Sequence, residues 1–232
     1  MAAAAELSEL QEVPKDLWGG FKEEGRPEGL LTLLAAGTGA GIARYGNTTN
    51  FDDFHIAATL QRHPPLGRRA TDFGNVIGYP LYLLPVMGAT YFAGWSLDAH
   101  SAQEFGLLGF EALSLAGLQT EILKVSVPRL RPDNSDLAAF PSGHASASFS
   151  LATVAASYWG WEVGVPAYLA AGFVGYTRME SRKHYLSDVL FGAGLGIISG
   201  RAVYKVHRRR HPERYAFAPF VSPGGGGVAV FF

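Results

Sequence analysis

The sequence predicts an all-α fold, a helical bundle of about six core helices with an N-terminal arm and a short glycine-rich C-terminal tail. Three observations indicate this class. Apolar segments of helical length follow one another along the 232 residues, strand-like alternation does not appear between them, and no β-α-β rhythm is present. The length suits one sizeable domain better than two.

The N-terminal region is polar and contains residues that interrupt helices. Residues 1–28 include Pro14, Gly19 and Gly20, so we expect an arm with at most a short helix over 16–24. The start, MAAAAELSEL, has neither the basic stretch nor the apolar core of a signal peptide, and as it stands it is not one. The predicted division is an arm over 1–28, a helical domain over 29–213 and a tail over 214–232.

The helical domain combines one amphipathic segment with several apolar ones. The amphipathic segment, NFDDFHIAATLQR, is expected on a surface because its polar and apolar residues fall on different helix faces. The segment 73–97 carries no charge and is long enough to cross a bilayer at about 1.5 Å per residue, although Pro80 and Pro85 interrupt it. Each of the other segments is equally a buried bundle helix. The predicted helices lie over 29–44, 50–62, 73–97, 103–125, 143–161, 163–178 and 187–206.

Glycines mark the last helix and the tail. Gly192, Gly196 and Gly200 recur every four residues. No strand precedes them, so they do not form a nucleotide-binding loop, and their spacing instead predicts a helix face that a neighbouring helix approaches closely. The tail ends in Phe231 and Phe232, which we expect to pack against the body, although a short strand pair or disorder is also compatible with it.

Composition excludes several functional classes. Lys plus Arg number 19 and Asp plus Glu number 20, so no charge imbalance indicates a nucleic-acid partner. Cysteine is absent, which removes disulfides, thiolate chemistry and cysteine-bound zinc. The mean hydropathy of +0.10 lies between that of soluble enzymes and that of proteins made mostly of membrane helices. Catalysis by this chain would therefore use His, Asp, Ser, Lys or Arg.

Three clusters of polar residues favour phosphate chemistry. The stretch FPSGHASASFS places a histidine directly after Pro-Ser-Gly at a helix start, where a serine N-cap is the ordinary interpretation. The upstream stretch KVSVPRLRP and the downstream stretch TRMESRKHYLSD add cations, a second histidine and a carboxylate. Arginine forks and helix N-terminal amides match the oxygens of a tetrahedral phosphate. The residues concerned are Lys124, Arg131, Ser142, Gly143, His144, Arg178, His184 and Asp188.

In order and spacing, the three clusters resemble the signature motifs of the type 2 phosphatidic acid phosphatase superfamily. Those motifs are K-x6-R-P, P-S-G-H and S-R-x5-H-x3-D, and the matching region is 124–188. Thr177 stands where the third motif has serine, and since both carry a hydroxyl we expect little effect. The family includes bacterial acid phosphatases, membrane-embedded lipid phosphatases and vanadium-dependent haloperoxidases.

The resemblance implies a role for each cluster residue. His184 would be the nucleophile that forms a phosphohistidine, and Asp188 would hold its other ring nitrogen. His144 would protonate the leaving group and later activate water. The chemistry needs neither a metal nor a cofactor, although the same cradle accepts vanadate as a phosphate mimic. The residues implied in phosphate binding are Lys124, Arg131, Ser142, Gly143 and Arg178.

Other polar residues fall outside the motifs. Arg129, Arg182 and Lys183 either add positive charge at the pocket rim or face water. Asp52 and Asp53, in FDDFH, suggest a metal site, but no third ligand is placed near them. The remaining histidines fit no spacing and have no predicted role: His55, His63, His100, His207 and His211.

The sequence therefore predicts a metal-independent phosphatase that hydrolyses a lipid-linked phosphomonoester or pyrophosphate. The predicted reaction passes through a phosphohistidine intermediate. Three alternatives stay open: a vanadate-dependent haloperoxidase, a broad-range soluble acid phosphatase and a non-catalytic phosphate-binding membrane protein. The expected partners are a lipid phosphate and a membrane, with no nucleic acid. The aromatic residues of 73–97, together with the amphipathic segment 50–62, are the expected track for the lipid chain.

Basic residues at the end of the last helix indicate a location. If the last three helices span a membrane, the run Arg208 to Arg210 lies on the side opposite His144 and His184. Because positive residues stay inside, the pocket would face the extracytoplasmic side of a bacterial-type cell envelope. The same helices would also suit a periplasmic enzyme, so both an inner-membrane-associated and a periplasmic location stay open.

Overall fold

The fold is an α-helical bundle with a short C-terminal β-hairpin, as seen in a computed structural model. The structure describes residues 2–45, 52–212, 217–222 and 225–230. The all-α class predicted from the sequence is confirmed for these residues. The helices are α1 (Ala2–Glu24), α2 (Pro27–Tyr45), α3 (Asp53–Arg62), α4 (Gly67–Ile77), α5 (Pro80–Ser96), α6 (His100–Ser126), α7 (Gly143–Trp159), α8 (Trp161–Glu180) and α9 (Leu186–Arg210), and the strands are β1 (Phe217–Ser222) and β2 (Gly225–Val230).

The centre of the bundle is the close contact between α7 and α9. A Cβ atom at Gly196 would lie 2.3 Å from the Ser146 carbonyl oxygen, and one at Gly200 would lie 2.7 Å from the Ser150 carbonyl oxygen. Only glycine permits this approach, so the predicted close-packing face of α9 is confirmed. Helices α6 and α8 pack against the same α7 and complete the core.

The N-terminal region differs from its prediction. Helix α1 has 23 residues and contains Pro14, and it packs against α6 and α9. Gly19 and Gly20, interpreted from the sequence as helix breakers, are contact points, since Cβ atoms there would lie 3.1 Å from Val206 and 3.0 Å from Leu115. The expectation of at most a short helix is therefore wrong, because tertiary packing stabilises a helix that local propensity disfavours. The domain boundaries themselves stay predictions.

The predicted helix 73–97 is also divided. Helix α4 begins earlier, at Gly67, and ends at Ile77, and α5 starts at Pro80 with a bend of 52° between the two. Tyr79 is extended (φ −76°, ψ 116°) because the residue before a proline avoids helical angles, and Pro80 is well placed at the first helical position.

The C-terminal tail contributes a two-stranded antiparallel hairpin, with Phe217 opposite Val230 and Ser222 opposite Gly225. A short strand pair was one of the outcomes compatible with the sequence. The expected packing of Phe231 and Phe232 falls outside the described residues.

The outer surface of the bundle is apolar over several helices. Among the described residues, one helix, α9, is long and apolar enough to cross a membrane, but 72% of its apolar stretch is buried. The bent pair α4 and α5 is long and apolar enough only when the two helices are taken together. The exposed side chains are more telling, because a monomer in water rarely carries so extended an apolar surface. They include Leu30, Leu31, Leu34 and Ile42 on α2, Leu81, Tyr82, Val86, Phe92 and Trp95 on α5, Leu118, Ile122 and Val125 on α6, and Trp161, Val163, Val165 and Leu169 on α8.

We expect the substitution Gly196→Ala to lower the free energy of unfolding by about 1–3 kcal/mol, because the added methyl group would force α9 away from the α7 backbone. The matched control is Gly172→Ala on α8, where a Cβ atom meets nothing within 4 Å. That variant should be neutral or more stable by up to about 1 kcal/mol, from helix propensity alone. Denaturant unfolding of both variants measures the difference, and equal midpoints would contradict the packing argument.

Candidate active site

A cavity of about 570 Å³ lies among the first turn of α5, the second half of α6, the start of α7 and the end of α8. Six of the eight residues singled out in the sequence line it. The other two, Ser142 and Asp188, lie behind its wall and are fully buried. The six are Lys124, Arg131, Gly143, His144, Arg178 and His184.

Helix direction explains this convergence. Lys124 lies in the last turn of α6 and Arg178 in the last turn of α8, while His144 lies in the first turn of α7. Helix α7 packs against both α6 and α8, and its start lies at the same cavity as the ends of those two helices. His184 follows in the turn that leads from α8 to α9, which returns the chain to the same place.

His184 is held by a backbone carbonyl. Its Nδ1 atom lies 2.6 Å from the carbonyl oxygen of Ala139, and only 3% of its side chain is exposed. Because a carbonyl oxygen only accepts hydrogen bonds, Nδ1 carries the proton, and Nε2 keeps a free lone pair in the neutral ring. Burial, followed by the positive charges of Arg178 and Arg131, lowers the pKa of His184 well below its usual value. The ring is therefore neutral at neutral pH.

Asp188 does not make the hydrogen bond to His184 that the motif implied. Its Oδ2 atom lies 3.9 Å from His184 Nδ1, beyond hydrogen-bond distance, and it accepts instead from the backbone N–H of Tyr185 at 2.8 Å. Arg129 donates to the other carboxylate oxygen. The carboxylate thus caps the start of α9, and the Ala139 carbonyl takes the place at Nδ1 that was expected for Asp188.

Arg129 is the centre of a buried ion-pair network. Its guanidinium group donates to Asp188 and, at 2.7 Å, to Asp53 Oδ2, and it lies over the Tyr185 ring at 4.2 Å. Asp53 also accepts from the backbone N–H of Ser187 at 2.9 Å and from its hydroxyl at 2.6 Å. Arg129 is therefore not a rim residue, and this network joins α3 to the start of α9.

The pair Asp52 and Asp53 is accordingly engaged in structural contacts. Asp52 caps α3 by accepting from the backbone N–H groups of Phe54 and His55, and its other oxygen lies 2.6 Å from the His55 ring. Within the described residues, no group of three or more His, Asp or Glu side chains is arranged to hold a metal ion. The sequence contained a signal for Asp53 in the doubled aspartate, but its partners lie over 70 residues away.

Ser142 and Gly143 form the start of α7. The Ser142 hydroxyl accepts weakly from the Ala145 N–H at 3.4 Å, and the Ser142 N–H donates to the Asp188 carbonyl at 3.0 Å. That N–H is therefore engaged within the protein. Gly143 lines the cavity, and a Cβ atom there would lie 3.4 Å from Lys124 Nζ. The positive end of the α7 dipole and the lysine cation thus lie side by side.

An ion pair and a main-chain hydrogen bond join the loop that follows α6 to the turn between α8 and α9. Lys183 Nζ lies 2.5 Å from Asp133 Oδ2, and the Asp133 N–H donates to the Arg182 carbonyl at 3.1 Å. Burial opposes ionisation of Asp133, but the hydrogen bonds from Lys183 and Ser135 outweigh it and hold the pKa of this carboxyl below its usual value. Lys183 therefore joins the two loops. The sequence alone did not decide whether this residue lies at the pocket rim or faces water.

Arg131 is oriented by the same loops. Its Nε atom donates to Asp136 Oδ1 at 2.6 Å, and one terminal nitrogen donates to the Lys183 carbonyl at 3.3 Å. The guanidinium hydrogen bond from Arg131 and the Ala138 N–H lower the pKa of Asp136. Lys124 pairs with Glu121 at 2.7 Å. Both cations line the cavity, and Glu121, the partner of Lys124, lines it as well.

Asn75, on α4, is a cavity-wall contact that no sequence motif marked. Its side-chain oxygen accepts from Arg178 at 2.7 Å, and its backbone carbonyl oxygen lies 3.2 Å from His144 Nε2. The His144 ring also packs against Tyr79, with ring centroids 5.4 Å apart. A single asparagine in DFGNVIG offers no periodic or spacing signal, so only the fold reveals it.

The other end of the cavity is apolar. Side chains from the first turns of α5 and from α6 line it, among them Tyr79, Pro80, Leu81, Leu84 and Leu113. Of the aromatic segment 73–97, the residues around the first turn of α5 therefore contribute to this apolar wall, as predicted. Residues of α3 do not line the cavity within the described part of the chain.

Comparison with known proteins gives concordant results. The family model described as the PAP2 superfamily matches residues 106–212. A lipid A 1-phosphatase of Porphyromonas gingivalis is 34% identical over 141 residues, which cover 58% of this chain and 32% of that protein. A PA-phosphatase related-family protein of Dictyostelium discoideum is 26% identical over 191 residues, 64% of this chain and 70% of that protein. The chain thus spans about a third of the length of the first relative.

A solved structure shares the fold. The transmembrane PAP2 type phosphatidylglycerolphosphate phosphatase of Bacillus subtilis superimposes with a TM-score of 0.60 and 21% sequence identity. The match covers 78% of this chain and 94% of that protein. At this identity the likeness concerns the helical architecture.

We expect the buried, neutral His184 to make the protein less stable as the pH falls. Unfolded His184 takes up a proton near pH 6.5 whereas the folded ring does not, so this residue should cost about 1.4 kcal/mol of unfolding free energy per pH unit below that value. In His184→Asn the loss between pH 7 and pH 5 should be smaller than in the unsubstituted protein.

Thermal unfolding of both proteins at several pH values measures this difference. The same pH dependence in His184→Asn and in the unsubstituted protein would show that the ring is not held neutral.

Proposed function

We propose that this chain belongs to the PAP2 superfamily, whose model matches residues 106–212, and that it is a phosphatase that hydrolyses a phosphomonoester or pyrophosphate on a lipid. One observation carries the proposal. A single cavity holds three cations and two histidines at one end and an apolar wall at the other. The first end suits a phosphate group and the second suits a hydrocarbon chain.

The phosphate would bind where the positive charges converge. Arg131 and Arg178 offer planar arrays of donors that match phosphate oxygens, and Lys124 adds a third charge beside the start of α7. Donors held in advance at these positions stabilise the charge of the transition state without reorganisation. We propose that this charge makes a metal ion unnecessary for the reaction.

The first chemical step would be attack by His184. The Nε2 lone pair, free because Nδ1 donates to the Ala139 carbonyl, forms a bond to phosphorus while the bond from phosphorus to the leaving oxygen breaks. His144, the other histidine of the cavity, would enter this step in its protonated, positively charged form and give one proton to that oxygen. The products of this step are a free alcohol, or a shorter phosphate, and a phosphohistidine.

The second step would return the enzyme to its starting state. His144, now neutral, takes a proton from water, and the oxygen of that water attacks phosphorus as the bond from phosphorus to His184 breaks. Inorganic phosphate leaves, and the proton remains on His144 for the next cycle. In this mechanism Asp188 acts through the start of α9, which it caps, and through Arg129.

Two observations support a lipid as the substrate. The apolar wall of the cavity is formed by α5 and α6, whose outer faces expose Leu81, Tyr82, Leu118 and Ile122. Two of the similar proteins are named as phosphatases of lipid A and of phosphatidylglycerolphosphate. We therefore propose that the chain of the substrate lies along the start of α5 and the second half of α6.

The apolar surface also supports residence in a membrane. Exposed apolar side chains on α2, α5, α6 and α8 surround the bundle, and burying them in lipid would gain roughly 25 cal/mol per Å². The basic end of α9, Arg208 to Arg210, lies at the opposite end of that helix from Asp188. By the positive-inside rule the cavity would then open on the extracytoplasmic side of an envelope membrane.

Purified protein with a chelator present should release phosphate from a long-chain phosphatidate or a prenyl pyrophosphate. Burial of methylene groups at about 0.8 kcal/mol each should make kcat/KM at least about tenfold higher for a long-chain than for a short-chain phosphate. Comparison of both with p-nitrophenyl phosphate in detergent measures this preference.

Equal efficiency on all three compounds would instead indicate a broad-range phosphatase without a lipid track. Phosphate binding with no release from any of them would indicate a binding protein. Turnover that is abolished by the chelator and restored by a divalent cation would contradict the metal-free reaction.

A second experiment tests the proposed intermediate. Rapid quenching during turnover of a ³²P-labelled substrate should trap an acid-labile phosphoprotein, and His184→Ala should form none, with kcat lower by at least about 10³-fold. His144→Ala should slow both formation and decay of the label. His100→Ala, at an exposed histidine outside the cavity, is the control and should match the unsubstituted protein. Labelling that persists in His184→Ala would place the nucleophile elsewhere.

A further inference from the structure

Asn75 connects two residues that lie on different helices of the cavity. Its side-chain oxygen accepts a hydrogen bond from Arg178 Nη1 at 2.7 Å, and its backbone carbonyl oxygen lies 3.2 Å from His144 Nε2. Its amide nitrogen donates to the Ser181 hydroxyl at 3.1 Å, at the end of α8. One residue of α4 thus contacts a proposed phosphate ligand and the proposed proton donor.

The contact with Arg178 orients a buried cation without neutralising it. Arg178 is 8% exposed, and Asn75 is the one side chain among the described residues that hydrogen-bonds its guanidinium group. An amide oxygen fixes the plane of the guanidinium and leaves its charge and its remaining N–H groups for another ligand. A carboxylate at the same position would form an ion pair and compete with phosphate for the same donors.

The contact with His144 orients the second group. Because a carbonyl oxygen only accepts, His144 Nε2 carries a proton when this bond forms, and the ring plane is set by the bond together with the packing of Tyr79. The position of the α4 backbone therefore determines where this proton donor lies.

Helix α4 is itself held close to α8. A Cβ atom at Gly74 would lie 2.5 Å from Thr177 Cγ2, and one at Gly78 would lie 2.2 Å from Val174 Cγ1. The two glycines on either side of Asn75 let the helices approach to this distance. The asparagine is thus held between two tight contacts, which limits how far it can move from Arg178.

We propose that Asn75 is a positioning residue that sets the relative placement of Arg178 and His144, and so determines how tightly phosphate is bound and how efficiently its leaving group is protonated. This inference rests on the proposed function. It assigns α4, which lies outside the three sequence motifs and outside the matched region 106–212, a part in the active site.

The test uses the full-length protein and two substitutions. Asn75→Ala removes the acceptor, and kcat/KM for p-nitrophenyl phosphate should fall by about tenfold to a hundredfold, the range expected for one hydrogen bond to a charged group. Asn75→Asp keeps the size and the acceptor but adds a charge, and affinity for inorganic phosphate, measured by calorimetry, should fall at least as far as in Asn75→Ala. Thr90→Ala, which removes a side-chain hydrogen bond on α5 away from the cavity, is the control and should change neither quantity.

A double-mutant cycle distinguishes positioning from general stabilisation. If Asn75 acts on phosphate through Arg178, then Asn75→Ala should weaken phosphate binding no further in a protein that already carries Arg178→Ala. Full additivity of the two losses would overturn the inference, as would phosphate affinity and kcat/KM within twofold of the unsubstituted protein in Asn75→Ala. If Asn75→Ala does not fold, Asn75→Asp decides, since unchanged phosphate affinity in that variant would also contradict the inference.

Binding and turnover separate this inference from the proposed function. Calorimetry with inorganic phosphate requires no catalysis, so the Asn75 variants can be compared even if the unsubstituted protein hydrolyses none of the compounds. If phosphate binding depends on Asn75 but no compound is hydrolysed, the proposed phosphatase activity is contradicted and the positioning role of Asn75 is supported. Turnover that does not depend on Asn75 would support the phosphatase activity and contradict the positioning role of Asn75.

Discussion

A mostly buried guanidinium group, that of Arg129, holds together the parts from which the site is built. Its side chain pairs with Asp53 at 2.7 Å and with Asp188, while its backbone carbonyl accepts from the Ala139 N–H at 3.0 Å. Ala139 in turn offers its own carbonyl to His184. Two carboxylates buried without this cation would be very unfavourable, so the loop before α7 and the starts of α3 and α9 must come together around it.

Close helix packing supplies the precision that the site requires. The glycines of α9 bring its backbone against α7, and the same contact continues at the start of both helices, where the Ser142 N–H donates to the Asp188 carbonyl. The helix start that faces the cavity and the turn that carries His184 are therefore joined by a main-chain hydrogen bond. Backbone contacts of this kind tolerate little displacement, which suits the proposed reaction, in which two histidines must be aligned about one phosphorus atom.

The polar part and the apolar part of the cavity are formed by different structural elements. Polar residues come from helix ends and loops, where backbone groups and charged side chains meet solvent, and the apolar wall comes from the first turn of α5 and the interior of α6. A phosphate with a hydrocarbon chain has the same division. The apolar outer surface of α5 and α6 continues this wall toward the exterior, so a chain in the cavity and the surrounding lipid would contact the same two helices.

The sequence by itself determined the helical class, the glycine face of α9 and the eight residues of the three motifs, because each depends on local spacing or on the chemistry of phosphate. Only the tertiary structure decided the rest. The Ala139 carbonyl rather than Asp188 holds His184, Arg129 pairs with two buried carboxylates rather than lying at a rim, and Asn75 reaches Arg178 across the bundle. Helix α1 likewise forms despite Pro14 because it packs on α6 and α9. These features depend on contacts between residues distant in the chain, and no periodicity or local propensity encodes which distant partner a side chain will meet.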